Sequence, residues 1–279
     1  MRCLYVDLDG TLLGPGGSLL RGENSGFALD AVRALQACDR AGVEVVIYSG
    51  RRQESVFDVA RLIGQTSYIF ELGCGLVLDG ALEWLTGGIE PSPETGTIYE
   101  QIAASGAPDL LLEAFAGRLE YHTPWSVRRE VSHLFRGQVD LDQVGGLLQA
   151  HGLDWLRLVD NGIIEGRGVS LVGAGSGLSL DVQRVHAYHL IPAASSKAGA
   201  VARHMQNRGY GPEDCIAAGD SREDLEAAGV VSCFWLVANA VERDPTLLQD
   251  IAGRTGVRVA SARYGAGVYE AVVATLAER

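Results

Sequence analysis

The feature that most constrains this chain is a repeated event: a short apolar run that stops at a polar, glycine-containing turn. CLYV is followed by Asp7-Leu8-Asp9-Gly10-Thr11, VEVVIY by Ser49-Gly50-Arg51, and CIAAG by Asp220-Ser221. Runs this short and apolar, the second of them rich in β-branched residues, read as buried strands, and the segments between them carry helical periodicity. One helix is predicted from about Gly26 to Ala41, with Ala28, Ala31, Val32, Leu35 and Cys38 on one stripe, and another from about Ser55 to Ile63. Strands alternating with helices imply right-handed crossovers and a parallel sheet. In such a sheet the carboxyl ends of the strands line one crevice, so the three polar turns are expected to meet there.

The alternation breaks after Gly73-Cys74-Gly75 and resumes near AYHLIP, Ala187 to Pro192. The predicted fold is α/β: a doubly wound, parallel-sheet, Rossmann-like core of residues 1–76 and 188–279, interrupted by an inserted α/β cap domain of residues 77–187. AYHLIP reads as a strand or linker, and Ser195 and Ser196 as caps of the next helix. FWLVAN reads as a further strand, and Val268 to Ala277 as the last helix.

The candidate chemistry lies in the turns. In extended backbone Asp7 and Asp9 would point to the same side. Two such carboxylates can divide labour, one attacking phosphorus and the other moving protons. Carboxylates crowded against a phosphate need a hard cation, and magnesium suits oxygen ligands. Asp220 is the natural further ligand, with Asp224 one helical turn onward. Each piece also has a plainer reading. Asp9-Gly10 could be a hairpin turn, Ser49 a helix cap, Lys197 a surface lysine, and Gly219 to Asp224 a capping arrangement only. Ser49 and Gly50 could instead donate to phosphoryl oxygens. Lys197 opposes the helix dipole in a first turn, a position explained if it neutralises phosphate.

Taken in order, the four segments resemble the motifs of the haloacid dehalogenase superfamily of phosphatases. DLDGT resembles its first motif, which implies Asp7 as nucleophile and Asp9 as acid/base. Ser49 and Lys197 resemble the second- and third-motif residues, and GDSRED resembles the acidic fourth motif. The implied metal ligands are Asp7, Asp9, Asp220 and Asp224, with Mg2+ as cofactor. The implied substrate contacts are Thr11, Gly50, Arg51 and Asn239, the last from Ala238-Asn239-Ala240. Glu223 departs from the pattern, standing where many relatives carry Asn. The place of the insertion resembles the subgroup with a large α/β cap, which includes sucrose-phosphate and mannosyl-3-phosphoglycerate phosphatases. The resemblance implies a magnesium-dependent hydrolase of a small phosphate monoester, a sugar or glycosyl phosphate, acting through a phospho-aspartate. A phosphomutase and a non-catalytic phospho-ligand binding module are the alternatives.

A net charge of −12 argues against nucleic acid or an anionic membrane as partner, and the small phosphorylated metabolite that the resemblance implies is itself anionic, so a local cation and a bound metal have to overcome the global field. The five cysteines show no CxxC pair, so neither a disulfide framework nor a zinc cluster is expected. The absence of a visible signal peptide points to a cytoplasmic protein. Three lesser features stand beside these. GAGSG, Gly173 to Gly177, reads as a hairpin or loop rather than a nucleotide-binding turn. His186 and His189 read as strand or surface residues rather than metal ligands. Arg128 and Arg129, near Tyr121, His122 and Trp125, read as a solvated basic helix face, with recognition of a phosphorylated glycoside as the second reading.

Overall fold

A computed structural model describes residues 1–164 and 180–278. The chain forms two compact units, one of Met1–Glu83 with Lys197–Arg279 and one of Trp84–Ser196.

The first unit begins β1 (Cys3–Val6), α1 (Asp30–Arg40), β2 (Glu44–Tyr48), α2 (Gln53–Leu62) and β3 (Tyr68–Phe70), then turns back through β4 (Gly75–Leu78) and β5 (Ala81–Trp84). The four residues of β1 are all buried, as a strand covered on both faces must be. Helix α1 starts at Asp30, later than Gly26, and buries Ala31, Ala34 and Cys38. An acid in the first turn favours that start, whereas Phe27 bridges to Arg21 outside the helix and leaves Ala28 off the stripe.

The second unit contains α3 (Ile98–Ala104), α4 (Ala107–Ala114), β6 (Leu119–Tyr121), β7 (His133–Gly137), α5 (Leu141–Ala150), β8 (Leu156–Ile163) and β9 (His186–Pro192). Its strands form a four-stranded antiparallel sheet in the order β6-β7-β9-β8. Thr97 and Glu100 start α3 with a capping box, and Asp140 caps α5. Arg128 and Arg129 lie on no helix. Arg128 is exposed in a left-handed conformation, while Arg129 is buried and donates to Ser132 Oγ at 2.8 Å. His189 is buried, 3.0 Å from the same hydroxyl, and His186 pairs with Asp160 at 2.7 Å. GAGSG lies outside the described residues.

The chain returns through α6 (Lys197–Arg208), β10 (Cys215–Gly219), α7 (Arg222–Leu225), β11 (Cys233–Leu236), α8 (Ala238–Arg243), α9 (Leu247–Ile251), β12 (Val257–Val259) and α10 (Tyr264–Ala277). The sheet of this unit has eight strands in the order β12-β11-β10-β1-β2-β3-β4-β5. It is parallel from β12 to β3, and β4 runs antiparallel to β3. The doubly wound core is therefore as expected, but the unit boundaries fall later than 76/77 and 187/188. The β4–β5 turn-back continues the large sheet, and β9 pairs with β7 and β8 through Pro192, so AYHLIP belongs to the inserted unit. Ser195 donates to Leu85 O at 2.9 Å. The FWLVAN strand stops at Leu236, and Asn239 sits on α8. Strand order reverses between β1 and β10, which puts the crevice of the sheet beyond the carboxyl ends of those two strands. Among the described residues no helix is long and apolar enough to cross a membrane.

Candidate active site

Asp7 directly follows β1 and Asp220 directly follows β10, the two strands that flank the reversal. Gly10 bends the first turn with φ +87°. A side chain there would run into the Asp220 carboxylate, its Cβ only 2.3 Å from Oδ2. Only glycine lets the two loops approach this closely. One turn beyond Asp220, Asp224 occupies the N3 position of α7 in a capping box with Ser221. Its Oδ2 accepts from the backbone N–H of Asp220 at 3.1 Å, from that of Ser221 at 3.0 Å, and from Ser221 Oγ at 2.7 Å. Its Oδ1 faces Lys197. The capping reading and the site reading of Asp224 thus both hold, one for each oxygen.

Lys197 opens α6 and is 1% exposed. Its Nζ donates to Asp7 Oδ1 at 2.9 Å and to Asp224 Oδ1 at 2.5 Å, and lies 5.0 Å from the centre of the Tyr48 ring. Its backbone N–H approaches Glu223 Oε1 at 3.5 Å, so the unusual acid in the fourth segment sets a negative charge at the start of α6. One ligand oxygen each from Asp7, Asp220 and Asp224 lies within 4.8 Å of the other two.

Burial lifts the Asp7 carboxyl well above the usual carboxylate range. Lys197 draws it back in part, while Asp224 and Asp220 push it further up. Burial likewise raises Asp220, against the pull of Arg243. Burial alone would favour a neutral Lys197, but the attraction of Asp224 and Asp7 outweighs it and holds the ammonium above its ordinary value. Three carboxylates thus share two cations, Lys197 and Arg243. The all-oxygen donor set and the uncompensated negative charge fit a hard divalent cation.

Asp9 does not join this cluster. Past Val6 the chain curls instead of staying extended: the N–H groups of Thr11 and Leu13 both donate to Leu8 O, and that of Leu12 to Asp7 O. The Asp9 side chain is therefore 55% exposed and gripped at both oxygens by Arg51, at 2.6 and 2.5 Å. Ser49 is buried at the end of β2 and accepts from the Arg51 N–H at 3.2 Å. It does not cap α2, whose N-cap is Arg52. Gly50 is buried in the same turn. Two residues expected to contact substrate also brace the loops. Thr11 is buried and donates to Asp220 Oδ1 at 3.3 Å. Asn239 donates to Gly10 O at 2.8 Å and accepts from the Tyr264 N–H at 2.9 Å. The sequence reading missed Arg243, which pairs with Asp220 Oδ2. Its signal was spacing: it follows Asn239 by four residues, on the same face of α8.

No family model matches the sequence. A curated phosphoglycolate phosphatase from Methanoculleus marisnigri is 25% identical over 237 residues, 82% of each chain. A sucrose-phosphatase from Synechocystis sp. PCC6803, solved with sucrose and phosphate, superposes with a TM-score of 0.62 at 18% identity, covering 99% of this chain and 98% of the other. A phosphatase of the haloalkanoate (HAD) enzyme superfamily from Bacteroides thetaiotaomicron gives 0.63 at 15% identity, covering 99% and 95%. The fold of this chain is that of the haloacid dehalogenase superfamily.

Proposed function

We propose that this chain, which has the haloacid dehalogenase-superfamily fold, is a magnesium-dependent phosphatase of a small phosphate monoester, a sugar or glycosyl phosphate. The observation that supports this most is the buried Lys197 joined to both Asp7 and Asp224, with Asp220 in reach of the same point.

Asp7, Asp220 and Asp224 would hold the cation, which offsets negative charge on the carboxylates and on the phosphoryl oxygens when bound. Lys197 holds Asp7 Oδ1, so Oδ2 is the oxygen free to attack. Attack forms an acyl-phosphate bond to Oδ2 and breaks the bond between phosphorus and the ester oxygen. The leaving alcohol takes its proton from Asp9, the side chain that borders solvent. Asp9 then removes a proton from water, the water oxygen bonds to phosphorus, and the Asp7 carboxylate departs as inorganic phosphate forms. For this Asp9 must let go of Arg51, whose guanidinium is then available to the phosphoryl group. Ser49 Oγ and the Gly50 amide are the further donors at the carboxyl end of β2.

The test is phosphate release from a panel of sugar phosphates, glycosyl phosphates and phosphoglycolate, with magnesium and with a chelator. Magnesium-dependent release from a sugar phosphate supports the full reading. Release from phosphoglycolate alone keeps the chemistry and overturns the sugar assignment. An isomeric phosphate without free phosphate would make the enzyme a mutase.

A further inference from the structure

The opposite, amino-terminal end of β1 carries a second group of potential ligands that the phosphatase reading does not use. Cys3 opens β1, Glu44 opens β2 and His204 lies on α6; one ligand atom from each falls within 4.8 Å of the other two. Cys3 and His204 are fully buried, and the Glu44 side chain is 20% exposed.

The decisive detail is on His204. Its Nδ1 is 2.9 Å from the Tyr5 hydroxyl. Its Nε2 has no hydrogen-bond partner, and the nearest carboxylate oxygen, Glu44 Oε1, is 3.6 Å away. A wholly buried ring nitrogen left unpaired is costly in a native protein and calls for an unseen partner. With Nδ1–H donating to the tyrosine oxygen, Nε2 presents its lone pair inward, towards Cys3 and Glu44.

We propose that Cys3 Sγ, a Glu44 carboxylate oxygen and His204 Nε2 form a metal site for a borderline-soft divalent cation of the zinc class. Sulfur, nitrogen and oxygen donors together suit zinc, whereas the all-oxygen cluster around Asp7 suits magnesium. Binding displaces the Cys3 thiol proton to solvent, and thiolate and carboxylate then balance the two positive charges. The surrounding groups orient the ligands as outer partners of metal sites do. Tyr5 fixes the His204 ring, and Arg208 and Tyr210 grip Glu44. Arg208 donates twice to Oε1, at 3.1 and 2.7 Å, and Tyr210 OH once to Oε2, at 2.9 Å. A carboxylate has about four acceptor positions, and the one that remains for the metal is on Oε2, since Arg208 takes both on Oε1. Cys3 and Asp7 stand four residues apart, roughly 13 Å along an extended chain. The site is therefore structural: it ties β1, β2 and α6 together away from the chemistry and takes its cation past the partly exposed Glu44.

The test uses the full chain carrying Asp220→Asn, which weakens the other cluster, stripped of metal and titrated with Co2+ and then Zn2+. The expected result is one equivalent bound, with thiolate-to-cobalt charge-transfer absorption and a rise in melting temperature with zinc. Adding Cys3→Ser should abolish that absorption and weaken zinc at least about 100-fold, and Tyr5→Phe should weaken zinc about 10- to 100-fold while keeping the absorption at saturation. If Cys3→Ser does not fold, Glu44→Gln, at a partly exposed position, is read instead and should weaken zinc about as much as Tyr5→Phe. Absence of thiolate absorption in the Asp220→Asn chain overturns the proposal, as does absorption that survives Cys3→Ser. Either result leaves the phosphatase reading untouched, because no readout is turnover.

Discussion

The two ends of β1 solve the problem of buried charge in opposite ways. At the carboxyl end, Asp7, Asp220 and Asp224 are packed together almost without solvent, and Lys197 and Arg243 leave them short of positive charge. At the amino end, the anion that approaches the buried pair Cys3 and His204 among the described residues is Glu44, already held by Arg208 and Tyr210. The first end is electrostatically strained and calls for a hard cation and a phosphate between them. The second is close to neutral, and its one unmet demand is the Nε2 of His204. A strand end thus becomes reactive through charge left uncompensated in a buried place, more than through the number of polar groups it gathers.

The largest effect that could break this contrast is loss of the proposed nucleophile. Asp7→Asn is expected to lower phosphate release by at least about 10⁴-fold, since an amide does not attack phosphorus and the neighbouring Asp224 and Asp220 carboxylates are held by Ser221, Lys197, Thr11 and Arg243. Far-UV circular dichroism should remain native. Release within tenfold of the parent would remove Asp7 from the reaction and leave the carboxyl end as a binding site only.

Next in size is the lysine. Lys197→Met would leave Asp7 and Asp224 buried without their shared cation, and breaking a buried pair from one side costs about 3–5 kcal/mol. Denaturant unfolding in chelator should show a loss of that order, reduced when magnesium is added. A loss below about 1 kcal/mol would mean that the carboxyl end is far better solvated than its burial implies.

Much of this was legible in the sequence because backbone pattern determines it. Each short apolar run ended in a polar turn, so the parallel pairing of these strands and the meeting of Asp7 with Asp220 followed from the pattern. What escaped depended on side-chain direction. Asp9 reads as a partner of Asp7 only if the backbone stays extended, and the curl at Leu8 turns it to Arg51 instead. Thr11 and Asn239 lie in the expected segments, but their bonds to Asp220 Oδ1, Gly10 O and the Tyr264 N–H were not legible from spacing. The amino-end cluster escaped for another reason. Cysteine spacing tests only ligands close in sequence, whereas Cys3, Glu44 and His204 come from two strands and a helix that the sheet brings together.

The smallest expected effect sharpens the contrast through pH, in chelator so that metal does not intervene. At the carboxyl end burial raises Asp7 and Asp220 in the folded state. Such groups contribute stability that is full below their unfolded pKa and is lost as pH rises through the folded one, so acidification from neutrality towards pH ~4 should stabilise the chain. Near the amino end the sign reverses. Hydrogen bonds from Arg208 hold Asp79 down at about 2, so its contribution is full above the unfolded value and is lost as pH falls through the folded one. The Asp79 side chain is 57% exposed, which limits its pair with Arg208 to roughly 0.2–1 kcal/mol. Unfolding free energy in chelator should therefore rise as pH falls from 7 to about 4, then decline below it. Asp79→Asn should soften only the acid-side decline, and Asp220→Asn should reduce only the rise, leaving the part that Asp7 contributes. If Asp220→Asn left the rise intact, the strain assigned to the carboxyl end would have to reside elsewhere.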